Sequence, residues 1–159
     1  MVDVKTKIYP VGRLDYNTEG LILLTNDGEF ARIVASAGDH FPKVYQVKVH
    51  GIPEESALKS LRAGHRLPDG TRLAPCGIRI LHTDRNTWLE VTLTQGKNRE
   101  IRKMFESTGH PVAKLRRTRI GFLSAAGLPV GCSRSLTPHE VARVLRIKQA
   151  EKPLPKPLE

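Results

Sequence analysis

Gly12-Arg13-Leu14-Asp15-Tyr16-Asn17-Thr18-Glu19-Gly20 runs straight into Leu21-Ile22-Leu23-Leu24-Thr25-Asn26-Asp27-Gly28. Two glycines bracket an acidic loop, and an apolar run follows that ends in a turn signal. The run reads as a short, continuously apolar strand over Leu21–Thr25, so the loop is anchored to a buried element. A carboxylate held between Gly-bearing turns beside a strand is well placed to act as a nucleophile or a base. The ordinary alternative is an Asx-turn aspartate that only shapes the loop. Both readings stand at this point, and both single out Asp15.

Working outward, the chain reads as one mixed α/β domain with antiparallel features. Gly28–Ser36 carries Phe30, Ala31, Ile33 and Val34 at helical spacing. Val44–Val49 alternates, with Tyr45, Val47 and Val49 on one face, and predicts a half-buried strand. Pro53 opens a helix through Leu58 and Leu61 that Gly64 closes. Strands near Arg72–Leu81 and Thr87–Leu93 flank a polar Asp84-Arg85-Asn86 turn. Asn98 is placed to cap a helix ending at Gly109, and Pro111–Ile120 reads as another strand. Thr137-Pro138-His139-Glu140 is a capping box for a last helix to Arg146. Three of the nine residues 151–159 are proline with little to bury, which predicts a disordered tail after a domain over 1–150.

At 159 residues the chain can bury a proper core. Lys+Arg 26 against Asp+Glu 16 gives a net charge of +10, which points to a polyanionic partner. A soluble surface that happens to be basic is the plainer explanation of the same number. Cys76 and Cys132 stand far apart without a Cys-x-x-Cys pairing, which fits a reducing compartment and two plain thiols. No signal peptide or membrane-length apolar run is visible, so a cytoplasmic protein is expected. The six histidines lie singly, without cysteine partners at ligand spacing, so no metal is expected.

Four motifs now stand in one order. The Asp15 string is followed by Lys43-Val44-Tyr45-Gln46-Val47 and by Thr94-Gln95-Gly96-Lys97-Asn98-Arg99-Glu100-Ile101-Arg102-Lys103-Met104-Phe105 with Gly109-His110-Pro111-Val112. Leu115-Arg116-Arg117-Thr118-Arg119-Ile120-Gly121 comes last. Together they resemble the RNA pseudouridine synthases of the branch that modifies ribosomal RNA, over roughly residues 10–145. The resemblance implies an α+β catalytic domain with a mixed, mainly antiparallel sheet and flanking helices. It also implies a monomeric enzyme that acts on ribosomal RNA with no cofactor, because isomerising uridine changes no oxidation state and loses no group. Members of that family usually carry an initial strand, and often a small RNA-binding domain, ahead of the Asp motif. Only eleven residues precede Gly12 here, so the sheet and the RNA grip are expected to be incomplete at the N-terminus.

The resemblance also assigns roles. Asp15 is the catalytic residue, Arg102 the cation that pairs with it, and Tyr45 the ring that stacks on the target base. From the sequence alone, Arg102 lies one residue past Ile101 on a helix whose buried stripe is Ile101, Met104, Phe105 and Thr108. That is about 100° round, at the border of the stripe, where a long side chain can lean into a cleft or simply stay solvated. Tyr45 by itself reads as a core tyrosine. Leu115, the large apolar residue among Lys114, Arg116 and Arg117, is the candidate for the other pocket wall. Lys97, Asn98, Arg99, Lys103, Arg116 and Arg117 are placed as RNA ligands, mainly to phosphates, with Thr18 and Ile101 in the same substrate-binding set. Arg13 is expected to hold the Asp15 loop or touch a phosphate. Two other classes fit parts of the sequence: a non-catalytic RNA-binding remnant, and a glycoside hydrolase using Asp15 and Glu19. The second is disfavoured by the positive charge and the scarcity of aromatic residues. The string after Asp15 looks most like the enzymes of large-subunit ribosomal RNA, with the small-subunit enzymes as the neighbouring alternative.

Overall fold

Strict alternation builds the centre of the molecule. In a computed structural model that describes residues 2–36, 41–97 and 99–150 (side chains to Ile147), every second residue from Thr87 to Leu93 is buried. Asn98, expected as a helix cap, and the proline-rich tail lie outside the described residues.

In chain order the elements are β1 (Tyr9–Val11), β2 (Glu19–Gly20), β3 (Leu23–Thr25), α1 (Gly28–Ser36), β4 (Lys43–His50), α2 (Glu55–Arg62), β5 (Gly77–Thr83), β6 (Asn86–Leu93), α3 (Glu100–Glu106), β7 (Val112–Ile120), β8 (Leu123–Ser124) and α4 (Pro138–Ala150). The main sheet has the order β2-β7-β4-β6-β5, with β8 also on β7. Its pairs are antiparallel except β2–β7, which is parallel, and β1 and β3 form a separate antiparallel pair. This is the mixed, mainly antiparallel sheet with flanking helices that the sequence implied.

Two apolar clusters hold it. Val47, Val49, Leu89, Val91 and Leu115 on one sheet face meet Leu58 and Leu61 of α2 and Ile101, Met104 and Phe105 of α3. Helices of seven or eight residues are unstable alone, so α2 and α3 exist because of this burial, at roughly 1.5–3 kcal/mol for each large side chain. The second cluster joins Val11, Leu23, Phe30, Ile33 and Val34 to Phe41, Ile120, Leu123 and Val144. It welds β1, β3, α1 and α4 to the end of β7.

Several boundaries differ from the sequence reading. The apolar run is a strand only over Leu23–Thr25, and Ile22 and Leu24 are exposed, since β3 pairs with β1 at the margin of the fold. The strand expected from Arg72 begins at Gly77, just after Pro75, which has no N–H for a ladder. Helix α3 runs over Glu100–Glu106 and stops short of Thr108 and Gly109, where the helix was expected to end, and α4 continues past Arg146 to Ala150. The capping box forms as expected: Thr137 N–H donates to Glu140 Oε2 at 2.8 Å, and Glu140 N–H donates to Thr137 Oγ1 at 3.1 Å.

Arg134 grips Glu140 with two further hydrogen bonds of 2.8 Å each, and this fork with the Thr137 amide pushes the Glu140 pKa from 4.5 down to about 2. A carboxylate depressed in the folded state stabilises it fully above its unfolded pKa, and the contribution is lost as pH falls through the folded value. Wild type should therefore melt higher than Glu140→Gln above pH 4.5, and the gap should close as pH falls from 4.5 towards 2. Thermal unfolding of both proteins across that window checks this; a gap independent of pH would contradict the pairing.

Candidate active site

The Asp15 loop is a tight turn closed by Thr18 N–H donating to the Asp15 carbonyl at 2.8 Å. Beyond it, Gly20 lies so close to β7 that an added Cβ would sit 2.1 Å from the Arg117 carbonyl oxygen, and its φ is +114°. Only glycine tolerates both conditions. That contact is the β2–β7 pairing, which lays the loop across the edge of the main sheet.

Two arginines grip the loop from below. Arg117, 5% exposed, donates from Nε to the Leu21 carbonyl at 2.8 Å and from Nη1 to the Arg13 carbonyl at 3.5 Å. Arg102 reaches up from α3 and donates from Nη2 to the Asn17 carbonyl at 2.6 Å. The fork-to-carboxylate pair expected between Arg102 and Asp15 is not formed, and among the described residues no cation lies within 4.0 Å of the Asp15 carboxylate. The turn presents the Asn17 carbonyl to Arg102 instead. Burial, then the neighbouring Arg99 guanidinium, lower the Arg102 pKa, while the Asp15 charge opposes them. An arginine remains protonated at neutral pH under such shifts.

Asp15 opens onto a cavity of about 600 Å³, a volume typical of small-molecule sites. Tyr45, Leu115 and Ile101 form apolar wall, with Leu93, Val34 and Ile120. Arg13, Thr18, Lys97, Arg99 and Arg117 also line it, and so do Lys43 and Glu100. The lining thus carries five cations, Arg13, Lys43, Lys97, Arg99 and Arg117, against the two carboxylates Asp15 and Glu100, which favours an anionic ligand. Tyr45 and Arg117 are direct partners across the β4–β7 ladder, so the aromatic wall and the buried cation are set by one register.

Three residues expected at the RNA site fall elsewhere or act differently. Lys103 pairs with Asp69 at 3.6 Å, away from the cavity. Arg116 alternates with Leu115 and Arg117 along β7 and faces the opposite side of the sheet. Arg117 lines the cavity, yet it is a buried clamp and not an exposed phosphate ligand. Glu19, the second carboxylate of the hydrolase reading, sits exposed on β2 and does not line the cavity.

Sequence reasoning passed over two charged lining residues. Lys43 precedes Tyr45 by two positions, the strand period, and that spacing could have found it. Burial and the nearby Arg117 charge lower the Lys43 pKa. Glu100, 4% exposed, accepts the Lys97 N–H at 2.9 Å and so folds back the 94–100 loop. Its pKa is raised by burial, against that hydrogen bond. Arg99, at the cavity rim, holds a left-handed backbone of φ 52°, a strained conformation for a non-glycine residue.

A family model described as RNA pseudouridylate synthase matches residues 2–107. The chain belongs to this family. Among pseudouridine synthases it is 44% identical over 145 residues to the ribosomal large subunit pseudouridine synthase B of Bacillus subtilis (strain 168), covering 89% of this chain and 59% of that relative. It is 38% identical over 140 residues to the ribosomal large subunit pseudouridine synthase E of Xanthomonas campestris, covering 79% and 75%. A crystal structure of a pseudouridylate synthase superposes with a TM-score of 0.78 at 30% identity, covering 87% of this chain and 60% of that one. The chain thus spans about three-fifths of the length of the Bacillus relative and of that solved structure.

The grip on the pseudouridine synthase loop is directly testable. Arg117→Ala removes the hydrogen bonds to the Leu21 and Arg13 carbonyls, each worth roughly 0.5–1.5 kcal/mol net and more where the donor is charged. Amide hydrogen exchange over residues 12–21 should quicken tenfold or more, while β4 and β6 stay protected. Unchanged exchange in the loop would show that Arg117 does not hold it.

Proposed function

We propose that this chain converts a uridine of ribosomal RNA into pseudouridine, with Asp15 as the catalytic carboxylate. The observation that carries this reading is the convergence of Asp15, Tyr45 and Leu115, from three separate motifs, on one cation-lined cavity. The names of the relatives favour large-subunit RNA as the substrate.

The reaction breaks the N-glycosidic bond, turns the uracil and rejoins it to the sugar through carbon 5. Asp15 enters by attacking the sugar or the base, or by removing a sugar proton, and each role needs the ionised carboxylate. Arg102 and Arg117 act on Asp15 through its loop: they fix the turn and keep positive charge below it. The target uridine must leave its stack to reach the cavity. Tyr45 supplies a new π-partner for the flipped uracil, and Leu115 and Ile101 close the other side. Arg13, Lys97 and Arg99 at the rim take flanking phosphates, which positions RNA without reading its sequence. Specificity then comes from the shape of a folded stem-loop.

Asp15→Asn should lose pseudouridine formation by more than about 10³-fold, with RNA affinity and melting temperature close to wild type. Chemical mapping of pseudouridine on large-subunit, small-subunit and transfer RNA transcripts reads both activity and substrate. More than trace product from Asp15→Asn, or product on transfer RNA alone, would refute the assignment.

Once the sugar is joined to carbon 5, that carbon must lose its proton while the freed ring nitrogen gains one, and the Tyr45 hydroxyl is placed to assist the transfer. Tyr45→Phe should therefore keep RNA affinity and slow only this step, whereas Tyr45→Ala should lose affinity as well. Identical single-turnover rates for Tyr45→Ala and wild type would make Tyr45 a core residue only.

A further inference from the structure

The main sheet has a second face, opposite the cavity, that the catalytic reading does not use. Leu58 and Leu61 of α2 and Ile101, Met104 and Phe105 of α3 all enter the cluster on the cavity side. On the other side the ladder places Lys48 directly between Trp88 of β6 and Lys114 of β7, and Gln46 between Glu90 and Arg116. None of these side chains belongs to either hydrophobic cluster, and Gln46 and Lys114 are exposed.

Among the described residues, Lys48, Lys114 and Arg116 have no carboxylate partner there. Glu90 is taken by Arg79 of β5 at 3.1 Å. Glu19, opposite Arg116 in the β2–β7 pairing, is not within ion-pair distance of it. Lys48 instead lies over the Trp88 ring, 5.7 Å from its centroid. Two lysines directly opposed across antiparallel strands weaken a sheet. A fold that keeps Lys48 against Lys114, with no carboxylate between them, carries that cost for something outside itself.

We propose that this face is a second RNA-contact surface, on which Lys48, Lys114 and Arg116 hold backbone phosphates and Trp88 offers a ring to an unpaired base. Neighbouring strands lie about 4.7–4.9 Å apart, so the three cations are close enough to follow one sugar–phosphate strand. Continuity favours RNA over an acidic protein. Leu115 and Arg117 of β7 face the cavity, Lys114 and Arg116 of the same strand face away, and beyond β7 at that edge lie two strands of two residues each, β2 beside Arg116 and Arg117 and β8 beside Arg119 and Ile120. An RNA with one uridine in the cavity passes to the second face by crossing that short edge. The proposal rests on the catalytic reading only in taking RNA as the ligand.

The test compares wild type with Lys48→Ala/Lys114→Ala on two RNAs: a long structured large-subunit fragment and a short stem-loop with one unpaired uridine. Binding is followed by fluorescence anisotropy over a salt series. On the long fragment the double variant should bind about tenfold more weakly, and the slope of log K against log salt should shrink by roughly 1.4–1.8, for two phosphates. Binding to the short stem-loop should not change, and Lys48→Arg/Lys114→Arg should restore the slope. A control, Lys59→Ala/Arg85→Ala, removes the same net charge from exposed positions elsewhere and should leave the slope as in wild type. The double variant should melt at or above wild type, since a repulsion is relieved.

Equal slopes for wild type and the double variant on the long fragment would overturn the proposal, and so would an equal loss in the control. Pseudouridine formation on the short stem-loop reports the catalytic reading separately. No product there from wild type would sink that reading and leave the binding comparison intact.

Discussion

A guanidinium buried between a loop and a sheet is the constraint on which the rest of the site depends. Arg117 belongs to β7, the strand that pairs with β2, β4 and β8, and its two hydrogen bonds reach both ends of the Asp15 loop. A buried charge is tolerated only where polar groups replace water. Here the Leu21 and Arg13 carbonyls do so, and the same contacts fix where Asp15 stands. Gly20 makes this possible by letting β2 approach β7 without a Cβ. The Asp15 loop is therefore placed by a strand that is hydrogen-bonded to neighbours on both of its edges.

The site also retains polar atoms that the free chain leaves unmatched. Among the described residues the buried side-chain atoms without a partner are Thr18 Oγ1, Gln95 Nε2, Glu100 Oε1, Arg102 Nε and Arg117 Nη2. All of them belong to the Asp15 loop, to the stretches on either side of the start of α3, or to β7, three of the pieces that border the cavity. Each such group costs roughly 1–3 kcal/mol, so a stable domain that gathers them in one place has kept them against its own stability. The left-handed Arg99 is a further cost at the same rim. Among the described residues outside these pieces, no non-glycine residue has a positive φ and no buried side-chain polar atom lacks a partner.

Much of this was legible in the sequence, for local reasons. The strands β4, β6 and β7 follow from period-two burial, α1 and α2 from helical spacing, and the start of α4 from its capping box. Tyr45, Leu115 and Asp15 were found because each sits in a motif, and the cavity gathers them. The failures are non-local. Nothing in Glu19-Gly20 signals a strand, because β2 exists only through its partner on β7. No spacing rule tells that Arg102 meets the Asn17 carbonyl instead of the Asp15 carboxylate, since that depends on how a distant turn is oriented. Arg117 looked like one exposed cation in a basic run, and only the register, which sets it opposite Tyr45, shows it to be buried.

On β7 that register decides between two surfaces. A slip of one residue would send Leu115 and Arg117 to the outer face and Lys114 and Arg116 into the core. The β4–β7 pairing is irregular between Val44 and Tyr45 and again between Lys48 and Val49, which isolates a regular stretch in which Tyr45–Lys48 faces Lys114–Arg117. Bulges resist slippage because the extra residue cannot move along the ladder without rebuilding both sides. Burial adds to this, since the slipped state would bury an uncompensated lysine in place of Leu115. The basic run is thus divided, residue by residue, between a cavity wall and an open face, and the two irregularities hold that division in place.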